Sequence, residues 1–220
     1  MHKTVDNLIL IENTLKEKLN NTNIPKVIAV SKTFPLSEVL PLINHGHKHF
    51  GENKVQEALE KWSSIKNDFS NIKLHMIGGL QTNKVKYAVS LFDYIHSLDS
   101  LKLAEKISNE QKKIKKKLKI FIQVNIGKEI QKSGIKIEYL EEFYNICTTK
   151  LDLNIIGLMC LPPKNNVSLE HFIEMNKLCS KIGAKELSMG MSNDYIEASK
   201  QGSTFVRIGS NIFGERTKIF

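Results

Sequence analysis

Lys32 is the residue whose position in this 220-residue chain most favours covalent chemistry. It directly follows the apolar run VIAVS, at the carboxyl end of a predicted strand, whereas nearly every other lysine falls on a helical segment or its polar flank. A lysine amine that is partly removed from water loses some preference for its charged form, and the free amine attacks an aldehyde to form an imine. From position alone, a solvated lysine at a strand end is an equally good interpretation.

Arg207, in the predicted strand TFVRIGS, is the second candidate. The chain has 32 basic residues, and only Arg207 and Arg216 are arginines. A planar, permanently charged donor inside a strand therefore suggests a fixed role, although an arginine on an outer strand edge is the alternative. Strand alternation turns either Val206 and Ile208 or Arg207 and Gly209 inward, and the sequence leaves this choice open.

Small and hydroxyl-bearing residues end the last two predicted strands. Gly209 and Ser210 follow Arg207, and Ser192 lies in the preceding strand end, GMSND. Glycine allows an unusual backbone, and hydroxyl and amide groups can hydrogen-bond an anion, although helix capping would explain the same residues. Because barrels commonly hold phosphate after strands seven and eight, the two segments together predict one phosphate site.

Asn53 ends the second predicted strand, HFGEN, and could hydrogen-bond a ring substituent of a ligand. The neighbouring Glu52 could fix a lysine or cap the next helix. His75 and Asn125 also lie on predicted strands near the barrel interior. They receive no chemical role, because a histidine on a strand is more often structural than catalytic.

Three further motifs are interpreted as structural. The HGHKH segment has three histidines, but no carboxylate or cysteine lies at zinc-like spacing, and we expect no metal site. The IGGLQTNK segment lacks the GxxxxGK[ST] spacing of a phosphate-binding P-loop. Cys160, in GLMCLPP, has no base partner in sequence, which favours a buried thiol over a nucleophile.

The composition indicates a cytoplasmic globular protein. Three cysteines without CxxC spacing suit neither a disulfide framework nor a zinc site, and no apolar run approaches the length of a membrane span. The formal net charge of +9 raises the possibility of nucleic-acid binding. However, the lysines are spread along helical segments without interleaved aromatic residues. In the densest run, QKKIKKKLK, Ile114 and Leu118 are spaced as at the end of an amphipathic helix, so we expect neither nucleic acid nor membrane as a partner.

The elements that must position these residues alternate regularly along the chain. An N-terminal helix, with Leu8, Ile11, Leu15 and Leu19 on one face, precedes eight short β-branched runs, each followed by a helical pattern. Eight parallel units predict a single α/β domain over residues 1–220, a (β/α)8 TIM-type barrel, although an open doubly wound sheet has similar local signals. The predicted strands are KVIAVS, HKHFGEN, LHMIGG, DYIHSLD, LKIFIQVNI, NIIGLMCLP, KELSMGMS and TFVRIGS.

With these residues and elements in place, the whole chain resembles the pyridoxal phosphate homeostasis protein family, also known as YggS or PROSC. Gly79 and Cys160 depart from the family pattern, in which proline and a small residue such as threonine are common. The resemblance implies a lone barrel related to the N-terminal domain of alanine racemase. The segments that carry it are AVSKTFP, HFGENKVQEALEKW, HMIGGLQTNK, IHSLDSLKLAEKI, QVNIGKEIQKSG, GLMCLPP, LSMGMSNDYIEA and GSTFVRIGSNIFGER.

The resemblance also implies a cofactor and roles for the candidate residues. Lys32 is expected to bind pyridoxal 5'-phosphate (PLP) as a Schiff base, and Arg207 to face the pyridine nitrogen. Asn53 is expected to line the pocket. The phosphate ligands are expected to be Ser192, Gly209 and Ser210.

The expected function is PLP homeostasis, in which a monomer buffers PLP and delivers it to PLP-dependent apo-enzymes with little or no turnover. An arginine at the pyridine nitrogen does not readily protonate it, which makes the ring a poorer electron sink. An active amino-acid racemase is the alternative function. Related racemases use a tyrosine from a second domain, which this chain is expected to lack.

Overall fold

The computed structural model describes residues 2–129, 131–163 and 168–215. Eight parallel strands close into a barrel in the order β1 to β8, each paired with its neighbours in sequence and β8 paired with β1. This confirms the predicted TIM-type barrel and excludes the open sheet. The strands are β1 (Lys26–Val30), β2 (His49–Glu52), β3 (Lys73–Met76), β4 (Tyr94–Leu98), β5 (Lys119–Val124), β6 (Ile155–Cys160), β7 (Glu186–Met191) and β8 (Phe205–Ile208).

Helices surround the barrel and connect successive strands on its outside. Each predicted apolar run contains one strand, and a helix follows each strand, as expected for right-handed crossovers. The helices are α1 (Lys3–Lys18), α2 (Leu36–Asn44), α3 (Val55–Trp62), α4 (Val85–Leu91), α5 (Leu101–Ile114), α6 (Leu140–Asn145), α7 (Ser168–Lys181), α8 (Tyr195–Lys200) and α9 (Ser210–Phe213). In the described ranges, no helix is both long and apolar enough to cross a membrane.

The predicted N-terminal helix is present as α1. Leu8, Ile11 and Leu15 are buried, and the main contacts of the helix are with α2, α8 and α9. Leu19 lies just after the last helical residue and packs against the same core. The apolar stripe therefore attaches α1 to the outer helical layer.

The end of α5 differs from the sequence expectation. The helix ends at Ile114, which is 49% exposed, because Lys115 adopts a left-handed conformation with φ of 52°. Leu118 lies beyond this turn and is buried in front of β5. The expectation that Ile114 and Leu118 share a helix face was wrong, because the spacing pattern did not reveal the turn between them.

Apolar side chains pack in two regions, one between strands and helices and one inside the barrel. The interior cluster consists of Ile28, Tyr94, Phe121, Met159 and Phe205. A Cβ at Gly157 would lie 1.8 Å from the Glu186 carbonyl oxygen, so glycine allows the close approach of β6 and β7. The interior packing closes the barrel beneath its carboxyl-end mouth, where polar groups collect.

Candidate functional site

A cleft of about 1460 Å³ opens at the carboxyl ends of the strands. The loops after β1, β2, β3, β5, β6, β7 and β8 contribute to it, which is the usual position of a barrel active site. Although they are distant in sequence, all six candidate residues line this cleft: Lys32, Asn53, Ser192, Arg207, Gly209 and Ser210.

Lys32 lies two residues beyond the end of β1 and is half-buried. Ser31, which precedes it, is fully buried and donates a backbone hydrogen bond to the carbonyl of Gly51 on β2. The start of the loop is therefore fixed to the sheet. This anchoring places the Lys32 backbone at the rim, with its side chain in the cleft.

Glu52 ties the ends of β1 and β2 to α3. Its Oε1 accepts hydrogen bonds from Ser31 Oγ at 2.8 Å, Lys61 Nζ at 2.9 Å and Trp62 Nε1 at 3.0 Å. The Glu52 carboxylate is fully buried, and Lys61 is only 9% exposed. Because Ser31 precedes Lys32 and Glu52 precedes Asn53, this network supports two candidate residues. Of the two roles considered for Glu52, the structure shows the fixing of a lysine, Lys61.

Arg207 points into the barrel, which resolves the alternation that the sequence left open. It is 4% exposed, and its Nη1 donates to Ser188 O and Ser188 Oγ, both at 2.7 Å. Nη2 donates to Cys160 O at 2.8 Å. Among the described residues, these contacts use three of the five guanidinium N–H donors and leave two for a ligand. Burial lowers the pKa of Arg207, but a guanidinium remains charged in proteins.

The loops after β7 and β8 meet at one side of the cleft. Asn211 Nδ2 donates to Ser192 O at 3.0 Å, which joins the two loops directly. Asp194 Oδ1 accepts from the backbone N–H of Met191 at 2.7 Å and shapes the first loop. Gly209 lines the cleft just after β8, where a Cβ would lie 3.6 Å from the Cβ and the carbonyl oxygen of Val30. Ser192, Gly209 and Ser210 consequently form one small-residue rim.

Asn53 and Asn125, which follow β2 and β5, also line the cleft. Asn53 is half-buried, and its carbonyl oxygen lies 2.3 Å from where a Cβ at Gly78 would be. Asn125 Nδ2 donates to the carbonyls of Glu129 and Lys132, and its Oδ1 accepts from the Glu129 backbone N–H. Asn125 therefore holds a loop against the cleft, a structural role that the sequence did not reveal.

A row of histidines crosses the barrel interior below Arg207, and sequence reasoning missed it. His49 Nδ1 lies 2.9 Å from His75 Nε2, and His75 Nδ1 lies 2.9 Å from His96 Nε2. His96 Nδ1 lies 2.9 Å from Ser188 Oγ, which also accepts from Arg207. The available signal was the position of one histidine on each of three successive strands, but alternation alone does not show that they touch.

The HGHKH segment contributes to this row. His45 is exposed, while His47 Nε2 contacts the carbonyl oxygen of His49 at 2.9 Å. Within the described ranges, no group of three or more potential ligands could hold a metal ion.

Acid is expected to destabilise the protein through these imidazoles. Burial lowers the pKa of His47 and of His49 from 6.5 to about 4, and lowers the pKa of His75 and His96 well below 6.5. Between pH 6.5 and pH 4 the unfolded chain binds more protons than the folded one, so the free energy of unfolding decreases as the pH is lowered. Each buried imidazole contributes to this loss, so urea unfolding should show at least ~2 kcal/mol less stability at pH 5 than at pH 7.

The exposed His45 provides the control for this pH experiment. His45→Gln should preserve the difference in unfolding free energy between the two pH values. Carboxylates remain largely ionised between pH 5 and pH 7, so the histidines are the groups expected to change stability in this window. Equal stability of the wild type at the two pH values would therefore contradict the prediction.

Cys160 has no basic side chain among its described hydrogen-bond partners. It is fully buried, and burial raises the pKa of its thiol to about 12. Its carbonyl oxygen accepts a hydrogen bond from Arg207 Nη2 at 2.8 Å. A raised pKa disfavours the thiolate, which agrees with a structural thiol.

Comparison with known proteins identifies the family. The family described as alanine racemase, N-terminal domain, matches residues 10–217. A pyridoxal phosphate homeostasis protein of Haemophilus influenzae is 37% identical over 94% of this chain and 91% of its own length. The chain belongs to the pyridoxal phosphate homeostasis protein family. The Bos taurus relative of the same name is 38% identical and covers 87% of this chain, with 77% of its own length matched.

Solved structures agree with membership of the pyridoxal phosphate homeostasis protein family. PipY of Synechococcus elongatus, determined with PLP bound, is 29% identical and has a TM-score of 0.85, covering 96% of this chain and 100% of PipY. Alanine racemase of Clostridium difficile is 16% identical with a TM-score of 0.74, covering 99% of this chain and 58% of the racemase. At that identity, the second likeness shows the fold alone.

Proposed function

We propose that this protein binds PLP as a Schiff base on Lys32. The observation that carries the proposal is the meeting, in one cleft, of a half-buried lysine, an inward arginine with two N–H donors left over, and a small-residue rim. These groups suit an aldehyde, a pyridine nitrogen and a phosphate respectively. Relatives named pyridoxal phosphate homeostasis proteins and a PipY structure with PLP bound support the same ligand.

Each side of the cleft has a distinct role in this proposal. Arg207 donates to the pyridine nitrogen, and Asn53 lines the ring pocket. The joined loops bind the phosphate through Ser192, Gly209 and Ser210, where hydroxyl and backbone N–H groups can donate to an anion. PLP supplies the aldehyde carbon that the Lys32 amine attacks.

The proposed role is storage and delivery of PLP rather than turnover. A guanidinium at the pyridine nitrogen is a permanently charged donor that does not readily give up a proton, so a carbanion on the bound substrate gains little stabilisation. This argues against an active racemase. We propose a cytoplasmic monomer that holds reactive PLP and passes it to PLP-dependent apo-enzymes.

Borohydride trapping tests the proposed site directly. The purified protein is mixed with PLP, its absorbance spectrum is recorded, the imine is reduced, and peptides are mapped by mass. We expect a band near about 420 nm, typical of a protonated lysine imine, and one reduced adduct on Lys32. The same treatment without PLP is the control. Absence of an adduct, or an adduct on Lys132, which also lines the cleft, would overturn the assignment.

A further inference from the structure

The hydrogen-bonded row beneath Arg207 spans the barrel interior. It runs from Arg207 near the carboxyl-end mouth, through Ser188, His96 and His75, to His49, the first residue of β2. Ser188, His75 and His96 are fully buried, whereas His49 is only half-buried at the amino end. The row therefore joins the mouth to the opposite face of the barrel.

The contacts of Ser188 decide in which direction hydrogens are donated along this row. Its Oγ accepts from Arg207 Nη1 at 2.7 Å, and His96 Nδ1 is the contact remaining for its hydroxyl hydrogen among the described residues. If His96 Nδ1–H donated to Ser188 instead, the buried hydroxyl hydrogen would have no acceptor, at a cost of about 1–3 kcal/mol. The favoured arrangement has Ser188 donating to His96.

The remaining hydrogens follow from that first bond. With Nδ1 of His96 accepting, a neutral His96 carries its hydrogen on Nε2 and donates it to His75 Nδ1. His75 then donates from Nε2 to His49 Nδ1. Burial lowers the pKa of His75 and His96, which agrees with neutral rings able to accept at Nδ1.

We propose that Ser188, His96, His75 and His49 are positioning residues for the cofactor. They form one hydrogen-bonded row in which each residue donates to the next one away from Arg207, and this row fixes the Arg207 guanidinium. The part that concerns PLP rests on the proposed function. Two Nη1 contacts to Ser188 hold one edge of the guanidinium, and the remaining N–H donors meet the ligand. The histidines fix the direction of the Ser188 hydroxyl and act on PLP only through Arg207.

Imidazole tautomers test the direction of the row without PLP. In a two-bond ¹H–¹⁵N correlation spectrum of the ¹⁵N-labelled wild-type apo-protein at pH 7.5, we expect His49, His75 and His96 as neutral Nε2–H tautomers. An Nδ1–H tautomer or a charged ring at His96 would overturn the proposed direction. This readout does not depend on whether the protein binds PLP.

Substitutions at Ser188 test the effect on the cofactor site. Ser188→Ala removes the hydroxyl, and we expect PLP to bind about tenfold more weakly, as for loss of ~1.4 kcal/mol. Ser188→Thr keeps the hydroxyl and should bind within about threefold of the wild type. The ¹⁵N shift of pyridine-labelled PLP should change in Ser188→Ala and return in Ser188→Thr, which general destabilisation would not produce. Unchanged affinity and shift in a folded Ser188→Ala protein would overturn the positioning role.

His49→Phe tests the far end of the row. Because His49 is only half-buried, this substitution is expected to disturb folding less than a change at a fully buried histidine. The change removes the acceptor for His75 Nε2–H, so His75 should populate both neutral tautomers. An unchanged His75 signal would contradict the proposed row. If the wild type forms no PLP adduct, the proposed function fails, whereas the apo-protein tautomers still decide the direction of the row.

Discussion

Lys32→Ala is expected to abolish the imine band near about 420 nm and the borohydride-trapped adduct, because no amine would remain at the end of β1. Non-covalent PLP binding should persist at reduced affinity, since Arg207 and the small-residue rim are retained. Equilibrium dialysis with free PLP measures this residual binding. The expected spectrum is that of the free aldehyde.

Lys54→Ala is the matched control for this substitution. Lys54 is an exposed lysine directly after Asn53, outside the residues that line the cleft. Its loss should leave both the band and the adduct unchanged. A Lys32→Ala protein that still forms the reduced adduct would show that another lysine, such as Lys132, carries the imine.

Glu52→Ala is expected to destabilise the fold by about 3–5 kcal/mol, the usual cost of breaking a buried ion pair. The substitution removes the buried carboxylate that lies 2.9 Å from Lys61 Nζ, so that ammonium keeps only the more exposed Glu57 carboxylate at 3.4 Å as a counter-charge among the described residues. It also removes the acceptor of Ser31 Oγ and Trp62 Nε1. Urea unfolding at pH 7 measures the difference in unfolding free energy. Glu52→Gln should lose less, because its carbonyl oxygen can still accept.

An exposed ion pair of the same residue types gives the comparison for Glu52. Glu17 and Lys18 lie 3.1 Å apart with side chains 72% and 52% exposed. Glu17→Ala should cost less than about 1 kcal/mol, because water already solvates both charges. Similar losses for Glu17→Ala and Glu52→Ala would contradict the role assigned to burial.

Much of the fold could be predicted because strand and helix periods differ. Eight β-branched runs, such as VIAVS and FIQV, and the helical patterns after them gave all eight units, and this number favoured a closed barrel. Helix ends were less predictable. The turn at Lys115 separates Ile114 from Leu118 although their spacing fits one helix, because a residue in the left-handed conformation carries no distinct spacing signal.

Much of the candidate site was also predictable, because barrel topology brings the carboxyl ends of distant strands together. Lys32, Asn53, Ser192 and Arg207 could be expected near one another once eight parallel units were assigned. The supporting contacts were not predictable. The bonds of Glu52 to Lys61 and of Arg207 to Ser188 depend on side-chain directions that residue types do not specify.

The sequence by itself determined the eight parallel βα units and the set of residues at their carboxyl ends, because these follow from periodicity and from the parallel direction of the strands. Closure into a barrel, which the sequence favoured over an open sheet, was decided by the structure. Only the tertiary structure decided that Arg207 faces inward and that three histidines meet end to end beneath it. Alternation offers two faces for every strand, and barrel closure with its register determines which face is inside and which side chains lie within hydrogen-bonding distance.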